Sequence, residues 1–243
     1  MRQVRHFIDQ PLRAGTQVAL PEDAVAHLVR VLRLGVGDAV TLFNGDGFDY
    51  PARIVSVSKK QAEALLHEPV AVLNESPLRI TLAQGVARGE KMDLILQKAT
   101  ELGVARIAPV LTERTEVRLD AERLAKRMQH WRGVLAAACE QSGRSRLPEL
   151  LEPQPLATFA AGDQNARRFL LDPHGGQSLA SAGIACDSLT LLIGPEGGLS
   201  ERDLAALKAA RYEGIRLGPR ILRTETAGLA AIAALNALYG DWR

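Results

Sequence analysis

Cysteine is scarce in this chain: among 243 residues there are two, Cys139 and Cys186. They form no CxxC and no metal-ligand spacing. That excludes a disulfide framework, and free thiols fit a reducing cytoplasm. Long apolar runs are also missing. No stretch approaches membrane-spanning length, and Met1-Arg2-Gln3-Val4-Arg5-His6 lacks the apolar core of a signal peptide. A cytoplasmic protein with no membrane partner is expected. The five histidines, His6, His27, His67, His130 and His174, include no pair at helical metal spacing, so no metal site is expected. An excess of charge of one sign is nearly absent, with 30 Lys and Arg against 28 Asp and Glu. Bulk charge therefore does not announce a nucleic-acid partner. The dinucleotide fingerprint GxGxxG is missing, as is the phosphate loop GxxxxGK[ST]. There is no internal repeat and no low-complexity tract.

What remains is an ordinary globular balance, 47% hydrophobic and 24% charged, long enough for two domains or one large one. Residues 1–70 read as β-rich. A strand at 18–20 runs into a helix at 24–32 that opens with Pro21 and acids and carries Ala24, Leu28 and Val31 on one face. Strands follow at 38–43, 50–57 and 61–66, with Asn44-Gly45-Asp46-Gly47 as a hairpin turn. Short strands with turn signals predict a small barrel, and residues 69–77 read as a linker. The pattern then alternates. Strands are expected at 78–83, 105–111, 169–171, 189–193 and 214–217. Helices are expected at 89–102, 119–141, 200–211 and 224–239. Alternation of this kind predicts an α/β domain over 77–243 with a largely parallel sheet. The last helix is small and apolar nearly all round, so it lies deep in the monomer or in a dimer interface. Between Thr112 and Arg146, basic residues (Arg114, Arg118, Arg123, Lys126, Arg127, Arg132, Arg144, Arg146) modestly outnumber acids (Glu113, Glu116, Asp120, Glu122, Glu140). A solvated helix face accounts for much of that excess.

Two strand-to-helix junctions stand out. One reads Leu191-Leu192-Ile193-Gly194-Pro195-Glu196-Gly197-Gly198-Leu199-Ser200. The other reads Ile215-Arg216-Leu217-Gly218-Pro219-Arg220-Ile221-Leu222-Arg223-Thr224-Glu225-Thr226. Ligands of open α/β sheets bind beyond the carboxyl ends of the strands, and glycine lets the backbone approach them closely. Glu196 opposes a phosphate by like-charge repulsion, and proline removes a backbone donor. The junctions therefore suit a nucleoside-sized ligand without phosphates. A plain tight turn with Ser200 capping the next helix would explain either junction alone. Two in tandem, followed by Arg220, Arg223 and Glu225, favour a site.

The motifs Arg88-Gly89-Glu90-Lys91-Met92-Asp93, Gln97-Lys98-Ala99-Thr100-Glu101-Leu102-Gly103, Thr112-Glu113-Arg114 and Ala138-Cys139-Glu140-Gln141-Ser142-Gly143-Arg144 precede both junctions in order. With His27-Leu28-Val29-Arg30-Val31-Leu32-Arg33 they make the chain resemble the bacterial 16S ribosomal RNA (uracil-N3)-methyltransferases of the SPOUT class. The resemblance implies a PUA-like RNA-binding barrel followed by a trefoil-knotted α/β domain acting as a homodimer. It implies S-adenosylmethionine as cofactor and N3 of a uridine in the decoding region of 16S ribosomal RNA, in the small subunit, as target. It places the cofactor against Leu171, Ile193, Gly194, Pro195, Glu196, Gly197, Leu217, Gly218, Ile221 and Leu222. RNA contacts are expected from Arg30, Arg33, Arg88, Lys91, Arg114 and Arg144, with Arg30 and Arg33 on one helix face, although solvated arginine is the plain alternative.

Arg223 and Glu225 are the catalytic candidates. A guanidinium can stabilise the uracil anion and a carboxylate can take the N3 proton. The bland alternative is an Arg–Glu pair that fixes the loop. Cys139 reads as structural, because methylation at a ring nitrogen needs no thiol adduct. Two rivals remain: a non-catalytic RNA-binding protein, and an enzyme of nucleotide phosphates, which Glu196 disfavours.

Overall fold

A computed structural model describes residues 4–115 and 121–242. The start of the helix expected at 119–141, together with Glu116, Arg118 and Asp120, lies outside the described residues, as do Met1-Arg2-Gln3. The chain divides into two compact units. One comprises Met1–Glu75 with Ala136–Leu147, the other Ser76–Leu135 with Pro148–Arg243. The first unit thus takes in residues 136–147, a return of the chain that no composition shift in the sequence marks.

In the first unit β1 (Arg5–Phe7), β2 (Gln17–Ala19), β3 (Ala39–Phe43), β4 (Phe48–Val57), β5 (Ala62–Leu66) and β6 (Val70–Ala71) form one sheet. Its order is β1-β3-β4-β5-β2, with β6 on β4. Period-two alternation buries Tyr50, Ala52 and Ile54 of β4 against Ala62, Ala64 and Leu66 of β5, together with Ile8, Leu28 and Leu42. Asn44 and Asp46 hold the expected hairpin turn through side-chain acceptors for the Asp46 and Phe48 N–H groups.

The helix expected at 24–32 is corrected. A short turn α1 (Glu22–Ala24) passes into a π-helix over Val25–Val31. Its i→i+5 bonding includes Leu32 N–H to the His27 carbonyl at 2.9 Å. Such winding takes more residues per turn than an α-helix, so Val31 leaves the buried face and stands 68% exposed while Val25 is buried. Arg33 lies beyond the helix end in the left-handed region, φ 59°. Arg30 and Arg33 therefore do not share a helix face, although both are exposed.

The second unit carries β7 (Arg79–Gly85), β8 (Arg106–Leu111), β9 (Glu149–Leu150), β10 (Gln154–Pro155), β11 (Arg167–Leu171), β12 (Gln177–Ser178), β13 (Ser188–Ile193) and β14 (Glu213–Arg216). Every recorded pairing in this sheet is parallel. The order is β10-β8-β7-β13-β11-β14-β12, with β9 on β8. Parallel sheets are covered on both faces, so their inner strands read as continuous apolar runs. Accordingly Ile80, Leu82, Leu189 and Leu191 face one core with α2 (Glu90–Glu101) and α6 (Thr224–Tyr239). Ala83, Ala108, Val110 and Leu192 face another with α4 (Leu156–Gly162) and α5 (Glu201–Ala209). α3 (Ala121–Ser142) places Met128, Trp131 and Leu135 in the first of these cores, and Arg123, Lys126 and Arg132 are exposed on it. Gly103 (φ 84°) ends α2, as a left-handed glycine stop does. α6 buries Gly228, Ala231, Ile232 and Leu235 on one side, while Ala230, Ala237 and Leu238 on the other are exposed. Among the described residues no helix is long and apolar enough to cross a membrane.

Candidate functional site

β11, β13 and β14 end together, and the turns that leave them enclose a cavity of about 630 Å³. The first turn, Asp172-Pro173-His174-Gly175-Gly176, is folded back by Asp172, whose carboxylate accepts the His174 N–H at 2.9 Å. Gly175 makes this possible, because a Cβ there would meet the Gly214 backbone at 3.0 Å. The second turn follows Ile193. The Pro195 carbonyl accepts the Gly198 N–H at 2.9 Å, and Ser200 caps α5 in a reciprocal box with Asp203. The capping reading of Ser200 and the ligand-loop reading are thus compatible. The third turn carries Leu217 to Arg223 into α6 and includes Gly218 at φ 130°, a conformation that favours glycine.

The walls contain Leu171, Ile193, Gly194, Pro195, Glu196, Leu217, Gly218, Ile221 and Leu222, and also Arg223 and Glu225. Gly197 does not line the cavity. It stacks against Arg114, whose Nη1 donates to the Gly197 carbonyl at 3.1 Å, and a Cβ at Gly197 would sit 3.2 Å from that side chain. Arg114 therefore buttresses the second turn. Glu196 Oε1 accepts from Lys91 Nζ at 3.2 Å and from the Arg88 N–H at 3.3 Å. Partial burial pushes the Glu196 carboxyl up. Its own backbone N–H, the Lys91 ammonium and the Arg88 N–H outweigh that and hold it below the ordinary carboxylate range. The carboxylate is ionised, as the argument against phosphate requires, but its pairing with Lys91 weakens the repulsion.

Arg223 is exposed and Glu225 half-buried, and among the described residues no ion pair joins them. The reading of a loop-fixing Arg–Glu pair is corrected accordingly. Glu225 Oε2 is buried with no hydrogen-bond partner, an expensive state for a carboxylate unless something absent from this chain completes it. Among the described residues no cluster of three His, Cys, Asp or Glu is placed to hold a metal.

Comparison with known proteins decides the family. A model of the RNA methyltransferase domain matches residues 74–236, and one of the RNA methyltransferase PUA domain matches residues 20–66. The chain belongs to the RNA methyltransferase family. Ribosomal RNA small subunit methyltransferase E of Bacillus subtilis is 31% identical over 244 residues, 96% of this chain and 95% of that one. The structure of the Neisseria gonorrhoeae protein of that name, solved bound to S-adenosylmethionine, is 38% identical with a TM-score of 0.95, each chain covered in full. A Legionella pneumophila methyltransferase solved with the same cofactor is 37% identical with a TM-score of 0.94, covering 99% of this chain and 100% of that one.

The RNA-contact candidates of this methyltransferase are divided between the cavity and its surroundings. Arg88 is exposed beside Glu196, and Lys91 lines the wall. Arg144 is corrected: it is 4% exposed, and its guanidinium forks onto Glu75 at 3.0 and 2.5 Å. Buried and bidentate, it braces the first unit. Cys139 is fully buried, its thiol donating to the Arg146 carbonyl at 3.6 Å. Burial pushes that thiol up to about 12, the nearby Arg144 only partly opposing it. A thiol so protonated is no nucleophile. Two residues that matter to the site went unseen in the sequence, Gln84 and Gly85 at the end of β7. A Cβ on Gly85 would lie 2.5 Å from the Pro195 nitrogen, so only glycine lets the second turn cross β7. Neither residue belongs to a motif that would have marked it.

Proposed function

We propose that this chain transfers a methyl group from S-adenosylmethionine to N3 of a uridine in the decoding region of 16S ribosomal RNA in the small subunit. One observation carries the reading. Apolar walls and glycine backbone line one cavity together with Glu225, a residue that carries a buried, partnerless carboxylate oxygen, Oε2. Those residues fit the cofactor. Leu171, Ile193, Leu217, Ile221 and Leu222 offer apolar surface for an adenosine, and the Gly194 and Gly218 turns bring backbone close to it. When bound, the cofactor supplies an electrophilic methyl on a sulfonium cation.

The remaining work falls to this chain. Glu225 Oε2 takes the N3 proton, and the Arg223 guanidinium stabilises the charge that spreads over N3, O2 and O4. Holding the base against the methyl supplies the orientation. Residues 1–70 serve as a PUA-type barrel that docks RNA, with Arg30 and Arg33 contacting phosphate. Residues 77–243 serve as the knotted catalytic domain, where Arg88, Lys91 and Arg114 flank the RNA path. The knot is supported by the path of the chain. It leaves β14 on the far side of β11 and returns in α6 to pack on β13, β7 and α2. The apolar outer face of α6 supports a homodimer, and the free thiols a cytoplasmic setting.

Mapping modified uridines in 16S RNA from cells with and without the gene, alongside methyl transfer by the purified protein, tests the reading. Loss of one N3-methyluridine in the deletion is expected. An unchanged modification map, or transfer to another atom, would overturn it.

A further inference from the structure

Gln84 ends its side chain inside the protein, and the hydrogen-bond directions around it are determined. Its Nε2 is 3.0 Å from the Gly85 carbonyl and 2.9 Å from Thr224 Oγ1. Thr224 Oγ1 is in turn 2.6 Å from the Gly194 carbonyl. A carbonyl only accepts, so the single hydroxyl proton of Thr224 goes to Gly194. The hydroxyl can then only accept from Gln84, and the Gly85 carbonyl demands the same amide orientation. Two acceptors thus assign the flip that geometry alone leaves open. That orientation leaves Gln84 Oε1 buried without a partner, a cost borne in favour of the donor side.

We infer that Gln84→Thr224→Gly194 is a positioning strut that ties the turn after β13 to the first residue of α6. Gly194 lines the cavity. Thr224 and the Glu225 that follows it line the same cavity. Gln84 is absent from the walls and acts through Thr224. By fixing the Gly194 carbonyl toward α6, the strut sets the backbone of one wall and the reach of the Glu225 carboxylate together. This role rests on the reading that the cavity holds S-adenosylmethionine and that Glu225 takes the proton.

The strut itself can be tested without cofactor. Thr224→Val keeps the side-chain shape and removes the hydroxyl, whereas Thr224→Ser keeps the hydroxyl. In the cofactor-free protein the valine variant should exchange amide hydrogens about tenfold faster over residues 193–199 and 223–226, with the serine variant close to wild type. Calorimetry should show S-adenosylmethionine affinity weakened about tenfold in the valine variant and restored by serine. The single-turnover methylation rate at saturating cofactor should fall as well, because Glu225 is displaced. Gln84→Met removes the upstream donor and leaves the Thr224–Gly194 bond, so it should shift exchange in the same direction by less. It also serves where the valine variant does not fold. Wild-type exchange over both segments in a folded Thr224→Val or Gln84→Met, or equal impairment by valine and serine, would overturn the strut. A wild-type protein that binds no S-adenosylmethionine would instead overturn the cofactor reading, and the exchange comparison would still decide the strut.

Discussion

Arg223 and Glu225 are two residues apart, yet their surroundings differ. Arg223 is an exposed residue of the cavity wall, and one Glu225 carboxylate oxygen is buried without a partner. A planar fork suits an anion spread over several ring atoms, and a lysine ammonium does not reproduce it. Arg223→Ala should lower single-turnover methylation on the order of a hundredfold, with Arg223→Lys also impaired and cofactor affinity near wild type. A normal rate in a folded Arg223→Ala would remove the residue from the mechanism. Arg144 shows how charge misleads at this scale. In the sequence it is one more arginine of a basic stretch, but its pairing with Glu75 needs two segments distant in sequence to meet. Breaking a buried pair by removing one partner costs on the order of 3 kcal/mol. Arg144→Ala should therefore lower the unfolding free energy by about that amount, measured by urea denaturation, without altering the salt dependence of RNA binding. A loss of RNA affinity at unchanged stability would return Arg144 to the RNA path.

Elements were legible where period and punctuation agree. The inner strands β7, β8 and β13 are unbroken apolar runs because both sheet faces are covered, and α2 ends at a glycine that needs positive φ. Elements held mainly by tertiary pairing left no such trace. β9, β10 and β12 have two residues each, too few for a period to register, and α4 lies in a stretch with no start signal beyond Pro155. The π-helix over Val25–Val31 is the sharpest miss. Its sequence satisfies an α-helical stripe, and only the i→i+5 bonding moves Val31 outward. That change also alters what Arg30 and Arg33 can do. Arg30 leaves the helix side and Arg33 leaves the chain beyond its end, so they present two separated charges. Removing one cation from a phosphate lowers the salt slope by roughly 0.7 on single-stranded RNA. Arg30→Ala and Arg33→Ala should therefore act additively on RNA affinity and salt slope in filter-binding titrations, with cofactor affinity untouched. Wild-type slopes in both variants would take the pair out of RNA binding.

At the scale of the molecule, near-neutral net charge conceals carboxylates that are tied down in each unit. Glu196 in the second is held by Lys91 and the Arg88 N–H. Glu140 in the first accepts from the Phe7 N–H at 2.9 Å and lies 2.8 Å from His6 Nδ1. Burial pushes the Glu140 carboxyl up, but the His6 and Phe7 contacts and the positive potential of His6 and His27 outweigh it, so its value lies below the ordinary one. For a carboxyl depressed in the folded state, the ionised form stabilises the fold above the unfolded value, about 4.3 for glutamate. That contribution is lost as the pH falls through the lower folded value. Stability should thus change little for this cause between neutral pH and about 5, and decline below the ordinary glutamate range. Glu140→Gln removes the charge at every pH. Its thermal midpoint should lie below wild type at pH 7, and the gap should narrow as acid protonates the wild-type carboxyl. Midpoints recorded from pH 7 down to about 3 check this. Parallel curves for the two proteins would mean that the Glu140 contacts do not couple the N-terminal strand to the end of α3 through charge.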